Sequence, residues 1–251
     1  MFVLLKADAF LQCARDSRRC PSLIFHKDVL KFYPLLFFGK SENKKIFFEK
    51  APICLTKSRA TQISSIELPE NLLHIGNYAF AHCANLSEIT IPDRVTTIGA
   101  YAFEQALGLS SITIPKNVTT IGDGAFSQTN INQVVFETNK LRTIPSGMFS
   151  YSGLQSVSIP YGVTSIGSSA FNECYYLTTI NIPATVNSIG NFAFDFCYSL
   201  TSVTVEATNP PSLNSTFEAN IPNIYVPAGS VDAYKAASGW STYADNISAM
   251  A

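Results

Sequence analysis

Apolar positions recur along this chain at a period of about 23 residues, far longer than the 2 or 3.6 of a single strand or helix. An Ile-Gly pair stands at Ile75-Gly76, Ile98-Gly99, Ile121-Gly122, Ile166-Gly167 and Ile189-Gly190, with Ile144-Pro145 in the same place. Five residues after each Ile comes a Phe: Phe80, Phe103, Phe126, Phe149, Phe171 and Phe194, and Phe217 continues the series. The Phe intervals are 23, 23, 23, 22, 23 and 23 residues. A fixed interval of this size marks a repeat architecture, in which one supersecondary unit stacks on the next.

Other columns keep step. Leu86, Leu109, Ile131, Leu154, Leu177 and Leu200 follow the Phe by five or six residues. Apolar pairs two apart come next: Ile89/Ile91, Ile112/Ile114, Val134/Phe136, Val157/Ile159, Ile180/Ile182 and Val203/Val205. Period-two alternation with β-branched residues predicts a strand. Pro92, Pro115, Pro160 and Pro183 close four of these strands, where a residue without an N–H costs the ladder least. A second extended run follows, as in Val95 to Ile98, and then a Gly turn leads into a short Ala-Phe segment with room for one helical turn. A single unit buries too few side chains to offset the ordering of its backbone, so the units must stack and share strand hydrogen bonds.

The run Leu86-x-x-Ile-x-Ile-Pro92 followed by Val95-x-x-Ile-Gly-x-x-Ala-Phe103 resembles the BspA-type leucine-rich repeats of bacterial and some protist surface proteins. The resemblance extends from about Ile63 to Pro227, and Val226 to Trp240 is similar to the end segment of such proteins. It implies a right-handed leucine-rich-repeat solenoid, α/β by convention but β-dominated, with in-register parallel strands. It also implies a role in adhesion or ligand binding at a cell surface or in secreted form. The expected organisation is a basic, Phe-rich segment over 1–62, the solenoid over 63–227 and a short helical C-terminal cap over 228–251.

Charge separates the same regions. Residues 1–62 carry 12 Lys/Arg against 5 Asp/Glu, whereas residues 63–227 carry 4 against 11. The first segment also holds eight of the 18 Phe residues, and it reads as a divergent cap, a separate basic interaction segment or a mis-assigned start. In the cap, Ser230 is the candidate helix N-cap and Gly239 the stop, with Trp240 either packed or available for binding. A secretion leader is not evident, since Lys6 and Asp8 interrupt the apolar start. No run of 18 apolar residues predicts a membrane span.

The chemistry of catalysis is not legible. Three histidines (His26, His74 and His82) are scattered, and metal, nucleophile-elbow and phosphate-loop motifs are missing. The expectation is therefore a non-enzymatic protein without cofactor or metal. Cys83, Cys174 and Cys197 each stand three residues after their Phe, where Ala106, Thr129 and Ser152 stand in other repeats. That column reads as a slot for small residues with buried thiols, a Cys174–Cys197 disulfide being the alternative. Sequons occur at Asn85, Asn117, Asn214 and Asn246.

Candidate ligand contacts are the outward positions of the strands. One column reads Glu88, Ser111, Gln133, Ser156, Thr179, Ser202 and Asn223, and the next Thr90, Thr113, Val135, Ser158, Asn181, Thr204 and Tyr225. A broad, weakly charged polar face suits a protein or a glycan and not a nucleic acid, which calls for Lys/Arg. Ser and Thr also simply suit exposed strands. The alternative function is a structural spacer that presents another segment. The repeat breaks at 129–142, where Ile131 arrives one position early and Glu137 replaces the closing proline. An exposed irregular loop is expected at Thr138–Arg142, with Lys140 and Arg142 either contacting an acidic or polar partner or filling a repaired insertion. The N–H gained at Glu137 should carry the ladder one residue further.

Overall fold

A computed structural model describes residues 64–213, 215–217 and 222–250, all within the second of two units, Ser41–Ala251. The expectations for residues 1–62 lie outside the described residues.

Each repeat contributes two short strands, and every one pairs in parallel with its counterpart in a neighbouring repeat. The first series is β1 (Ser65–Ile66), β3 (Glu88–Ile89), β5 (Ser111–Ile114), β7 (Gln133–Phe136), β9 (Ser156–Ser158), β11 (Thr179–Ile182), β13 (Ser202–Val205) and β15 (Asn223–Val226). The second is β2 (His74–Ile75), β4 (Thr97–Ile98), β6 (Thr120–Ile121), β8 (Thr143–Ile144), β10 (Ser165–Ile166), β12 (Ser188–Ile189) and β14 (Ser212–Leu213). Register is one-to-one: Ile75 pairs with Ile98 and Ile98 with Ile121, while Ile180 pairs with Val203 and Val203 with Ile224. The chain is therefore a parallel-strand solenoid with the spacing the sequence predicts.

The expected helical turn around Ala-Phe does not form. In its place is a third ladder built on alternating left-handed residues. Two positions before each Phe, φ is positive at Tyr78, Tyr101, Gly124, Gly147, Ser169 and Phe192. Two positions after, it is positive again at His82, Gln105, Gln128, Tyr151, Glu173 and Phe196. This backbone turns alternate N–H groups toward the next layer, as where Tyr78, Phe80 and His82 donate to the carbonyls of Ala100, Ala102 and Glu104. The intervening N–H groups close tight local turns, Ala81 to Tyr78 and Cys83 to Phe80. An α-helical turn would satisfy these groups within one repeat and leave nothing to join the layers along this side. The left-handed conformation is uncommon for residues other than Gly, and the inter-layer ladder over-determines it here.

The core is the set of columns read from sequence. The seven Phe rings of the column, Phe80, Phe103, Phe126, Phe149, Phe171, Phe194 and Phe217, are buried and stack with centroids 5.1 to 5.8 Å apart and planes 5 to 17° from parallel. Spacing slightly above the roughly 4.8 Å between strands fits offset rings rather than a face-to-face sandwich. The Gly of the Ile-Gly pair is fixed by close approach. A Cβ at Gly122 would sit 2.3 Å from the Ala100 backbone nitrogen.

Two departures from regularity have the same cause, the presence or absence of one N–H. Gly99, Gly122, Gly167 and Gly190 donate to the preceding Ile carbonyls, but Pro145 has no N–H to give Ile121. The second sheet accordingly splits between β6 and β8. Conversely, Glu137 and Glu206 stand where other repeats have proline, and their N–H groups bond to the carbonyls of Ile114 and Ile182. The ladder does run one residue further at Glu137, as expected.

The C-terminal cap ends both the sheet and the aromatic column. Helix α1 (Val231–Ala236) and a 3-10 segment (Trp240–Asn246) lead into β16 (Ile247–Ala249), which pairs in parallel with β15. Tyr243 packs edge-on against Phe217 with centroids 5.4 Å apart. Trp240 is fully buried, donates Nε1–H to the Pro211 carbonyl at 2.7 Å and meets Tyr234 edge-on, so it serves packing. Gly239 has φ +83°, and a Cβ there would lie 2.0 Å from the Leu213 carbonyl oxygen. Ser230 does not act as the side-chain N-cap expected from sequence: it makes no capping hydrogen bond and is buried.

Because Phe126 stacks on rings from both neighbouring layers, Phe126→Ala should cost about 3–5 kcal/mol, as for a large core truncation. Denaturant unfolding of the variant measures this, and a loss below about 1 kcal/mol would mean that the column does not carry the stack.

Candidate functional site

Most outward strand positions face solvent, although Ser202 and Thr204 are half-buried. Along β5 and β11 buried and exposed residues alternate strictly, which exposes Ser111, Thr113, Thr179 and Asn181. Glu88, Thr90, Gln133, Ser156 and Ser158 are exposed too, while Tyr225 is half-buried. Register sets them in columns: Ser156, Thr179, Ser202 and Asn223 in one, Ser158, Asn181, Thr204 and Tyr225 in the other. These run through the five-stranded sheet β9-β11-β13-β15-β16, and the β5–β7 pair places Ser111 beside Gln133 and Thr113 beside Val135. Asn181 is already committed, its amide donating to Glu206 Oε1 at 2.7 Å. Hydroxyls just ahead of the strands reinforce the stack: Ser87, Thr178 and Thr201 each donate to a carbonyl one layer back.

The segment 138–142 is irregular but pinned. Asn139, Lys140 and Arg142 are exposed, whereas Thr138 and Leu141 are buried, which corrects the expectation of a wholly exposed loop. Thr138 Oγ1 donates to the Val118 carbonyl at 2.7 Å and accepts from the Lys140 N–H at 3.1 Å. The two cations turn to partners in the chain. Lys140 Nζ bonds Asn117 Oδ1 at 2.7 Å, and Arg142 Nη1 reaches the carbonyls of Asn139 and Gly162 at 3.0 and 3.4 Å. Asn117, one of the sequon residues, donates its amide to Asp93 O, and Lys116 forms an ion pair with Asp93.

The small-residue slot supplies hydrogen-bond donors to the Phe carbonyls. Thr129 Oγ1 donates to Phe126 O at 2.9 Å, and the Cys174 and Cys197 thiols to Phe149 O and Phe171 O at 3.1 Å each. Cys174 and Cys197 are buried free thiols, as the column suggested. The hydrogen bond with Cys174, together with burial, pushes the Cys197 thiol far above its ordinary range. Cys83 is buried but disulfide-bonded, so the thiol expected there is not present.

Sequence reasoning missed the exposed aromatic residues that flank the Phe column. Tyr78 stacks on Tyr101 with centroids 5.1 Å apart, and Tyr175 on Tyr198 at 5.8 Å. Tyr151, Tyr176 and Phe196 are exposed nearby in sequence. The available signal was Gly124 and Gly147 in the Tyr78 column, which mark it as left-handed and hence outward-turned, and two Tyr at one column position in successive repeats. Among the described residues no group of three His, Cys, Asp or Glu could hold a metal, and no helix is long and apolar enough to cross a membrane.

Two outcomes follow. Thr138→Val should cost about 1–3 kcal/mol by stranding a buried carbonyl and an N–H, whereas Lys140→Ala with Arg142→Ala should stay within about 0.5 kcal/mol; thermal or denaturant unfolding checks both. Iodoacetamide should leave Cys174 and Cys197 unmodified in the folded protein and label both after unfolding, since burial keeps both thiols out of the reagent's reach; peptide mapping by mass spectrometry reads the sites.

Residues 58–174 and 142–236 match, in six copies, the model of the BspA type leucine rich repeat region. Among solved structures, a leucine rich repeat protein of T. pallidum is 29% identical, with 56% of this chain and 66% of that chain covered and a TM-score of 0.51. A leucine-rich repeat protein from Bacteroides ovatus is 23% identical over 68% of this chain and 56% of that one, with a TM-score of 0.45. A leucine rich cell surface protein from Faecalibacterium prausnitzii is 22% identical over 77% and 61%, with a TM-score of 0.38. The chain thus spans less than two thirds of the length of each. No curated protein matches it. With its repeats aligned to the family model over more than half of its length, the chain belongs to the BspA type leucine-rich repeat family.

Proposed function

We propose that the chain is a non-enzymatic binding module, acting at a cell surface or in secreted form, whose strand face recognises a protein or a glycan. The observation that supports this is the pair of polar columns held in register by the β9–β16 sheet, exposed at Ser156, Ser158, Thr179, Asn181 and Asn223 and half-buried at Ser202, Thr204 and Tyr225. Side chains fixed on paired strands offer a repeating array of hydroxyl and amide groups at about 4.8 Å intervals, with little entropy left to lose on contact. Among the outward residues named, only Glu88 carries a charge, so phosphate recognition has no cation to use. Lys140 and Arg142 form a secondary contact for an acidic or polar partner, limited by their bonds within the chain. The surface location rests on family resemblance, since BspA-type repeats occur in surface proteins.

A glycan array and a panel of extracellular-matrix proteins, probed with the full chain, test the reading. At least one ligand should bind, and Ser156→Arg with Thr179→Arg should abolish that binding without lowering the thermal midpoint. Silence in both screens would leave a spacer that only presents another segment.

A further inference from the structure

A second surface lies along the turn beside the Phe column, and it differs in chemistry from the strand face. Tyr151, Glu173 and Phe196 occupy the same left-handed position, two residues after Phe149, Phe171 and Phe194, in three successive layers. The backbone ladder fixes the adjacency: Tyr151 N–H donates to Asn172 O and Glu173 N–H to Asp195 O. Two residues further on, Tyr175 and Tyr198 stack with planes 4° from parallel, and Tyr198 meets Phe196 edge-on at 6.0 Å. Tyr175 donates its hydroxyl to Glu173 Oε2. The bond to Glu173 raises the Tyr151 phenol above its ordinary range and the Tyr175 phenol to about 12, so both stay protonated donors. Two phenols from adjoining layers thus converge on one carboxylate.

The patch is exposed: Tyr198 60%, Tyr176 63%, Tyr151 51%, Tyr175 41% and Phe196 39%. Clustered apolar surface of this kind marks an interaction site, and Tyr is the residue most suited to an interface with one apolar and one wet side. Charge identifies the partner. No Lys, Arg or His occurs between Arg142 and Lys235, whereas Glu173, Asp195, Glu206, Glu218 and Asp232 do. The patch therefore sits in a stretch of 92 cation-free residues carrying five carboxylates. A Lys or Arg side chain seated there would meet the Glu173 carboxylate and the negative faces of tyrosine rings, with no like charge from this segment to oppose it. Three layers at about 4.8 Å each match the reach of three or more residues of extended chain.

We propose that the surface formed by Tyr151, Glu173, Tyr175, Tyr176, Phe196 and Tyr198 docks a basic polypeptide segment, its Lys or Arg side chains held by Glu173 and the tyrosine rings. This rests on the reading of the chain as a binding module but not on the strand face. A neutral glycan would also stack on tyrosine and donate hydroxyls to Glu173, but it carries no positive charge to answer the excess of carboxylates over cations.

Fluorescence anisotropy of labelled decalysine against the full chain in moderate salt tests the proposal, with a neutral Gly-Ser decapeptide and a neutral oligosaccharide as comparators. Decalysine should bind in preference to both. Tyr175→Ala with Tyr198→Ala should weaken it about tenfold, and the near-isosteric Glu173→Gln, which leaves packing intact if the double variant misfolds, should weaken it severalfold. Glu70→Gln, which removes the same charge from an exposed site elsewhere, should change nothing. Equal weakening by Glu70→Gln, or none by Glu173→Gln, would reduce the effect to general attraction and overturn the proposal. Tyrosine-dependent binding of the oligosaccharide in place of decalysine would overturn it in favour of a glycan. Failure of every probe would also overturn it, while the strand-face reading would still stand or fall on the glycan and matrix screens.

Discussion

Every residue in this solenoid must tolerate its own counterpart one layer away, and that constraint governs the rest of the structure. In-register parallel stacking places Phe on Phe, Ile on Ile and Gly against backbone, so a residue is acceptable only if it packs against a copy of itself. Aromatic rings meet the condition by offset stacking at 5.1 to 5.8 Å. Glycine meets it where a Cβ would strike the adjoining chain, as at Gly122. Charges meet it poorly, which accounts for the scarcity of Lys, Arg, Asp and Glu in the strands and for the alternation of Tyr151, Glu173 and Phe196 in one column rather than a run of carboxylates.

The same constraint explains what could be read in advance. A side chain that must stack on its counterpart leaves a column in the sequence, so the Phe, Leu and Ile positions, the two strands per repeat and the solvent-facing Ser/Thr columns were legible. Backbone conformation left a fainter trace. The left-handed pair around each Phe is filled by Tyr, His, Gln, Ser, Glu and Phe as well as Gly, because ladder bonds to the next layer enforce it whatever the side chain. A reader of propensities sees Ala-Phe and expects a helical turn. Thr138 escaped for another reason: its burial follows from a hydrogen bond to Val118, twenty residues away, and not from any apolar pattern. Ser230 had the chemistry of a helix cap, yet its site is buried and it makes no capping bond.

Function enters through what stacking leaves free. The core columns are fixed by packing, so variation is confined to the strand face and to the turn flanking the Phe column. On the strand face the solution is short and polar; on the turn, within residues 151–198, it is tyrosine gathered about a carboxylate. One scaffold therefore presents two chemically distinct surfaces on the same set of layers. The cap extends the stack: β16 continues the sheet, and Tyr243 packs edge-on over Phe217 at the end of the aromatic column. Without it Phe217 would present a bare ring.

The left-handed ladder beside the Phe column binds each layer to the next, including where the two strand series break. Native-state hydrogen exchange at the amides of Phe80, Phe103, Phe126, Phe149, Phe171 and Phe194 tests it most directly, since each donates to a carbonyl of the following repeat. Strong protection is expected at all six, deepest in the central layers, lost together as the stack opens. Exchange of these amides at rates near those of an unstructured peptide, with the flanking strands still protected, would contradict it.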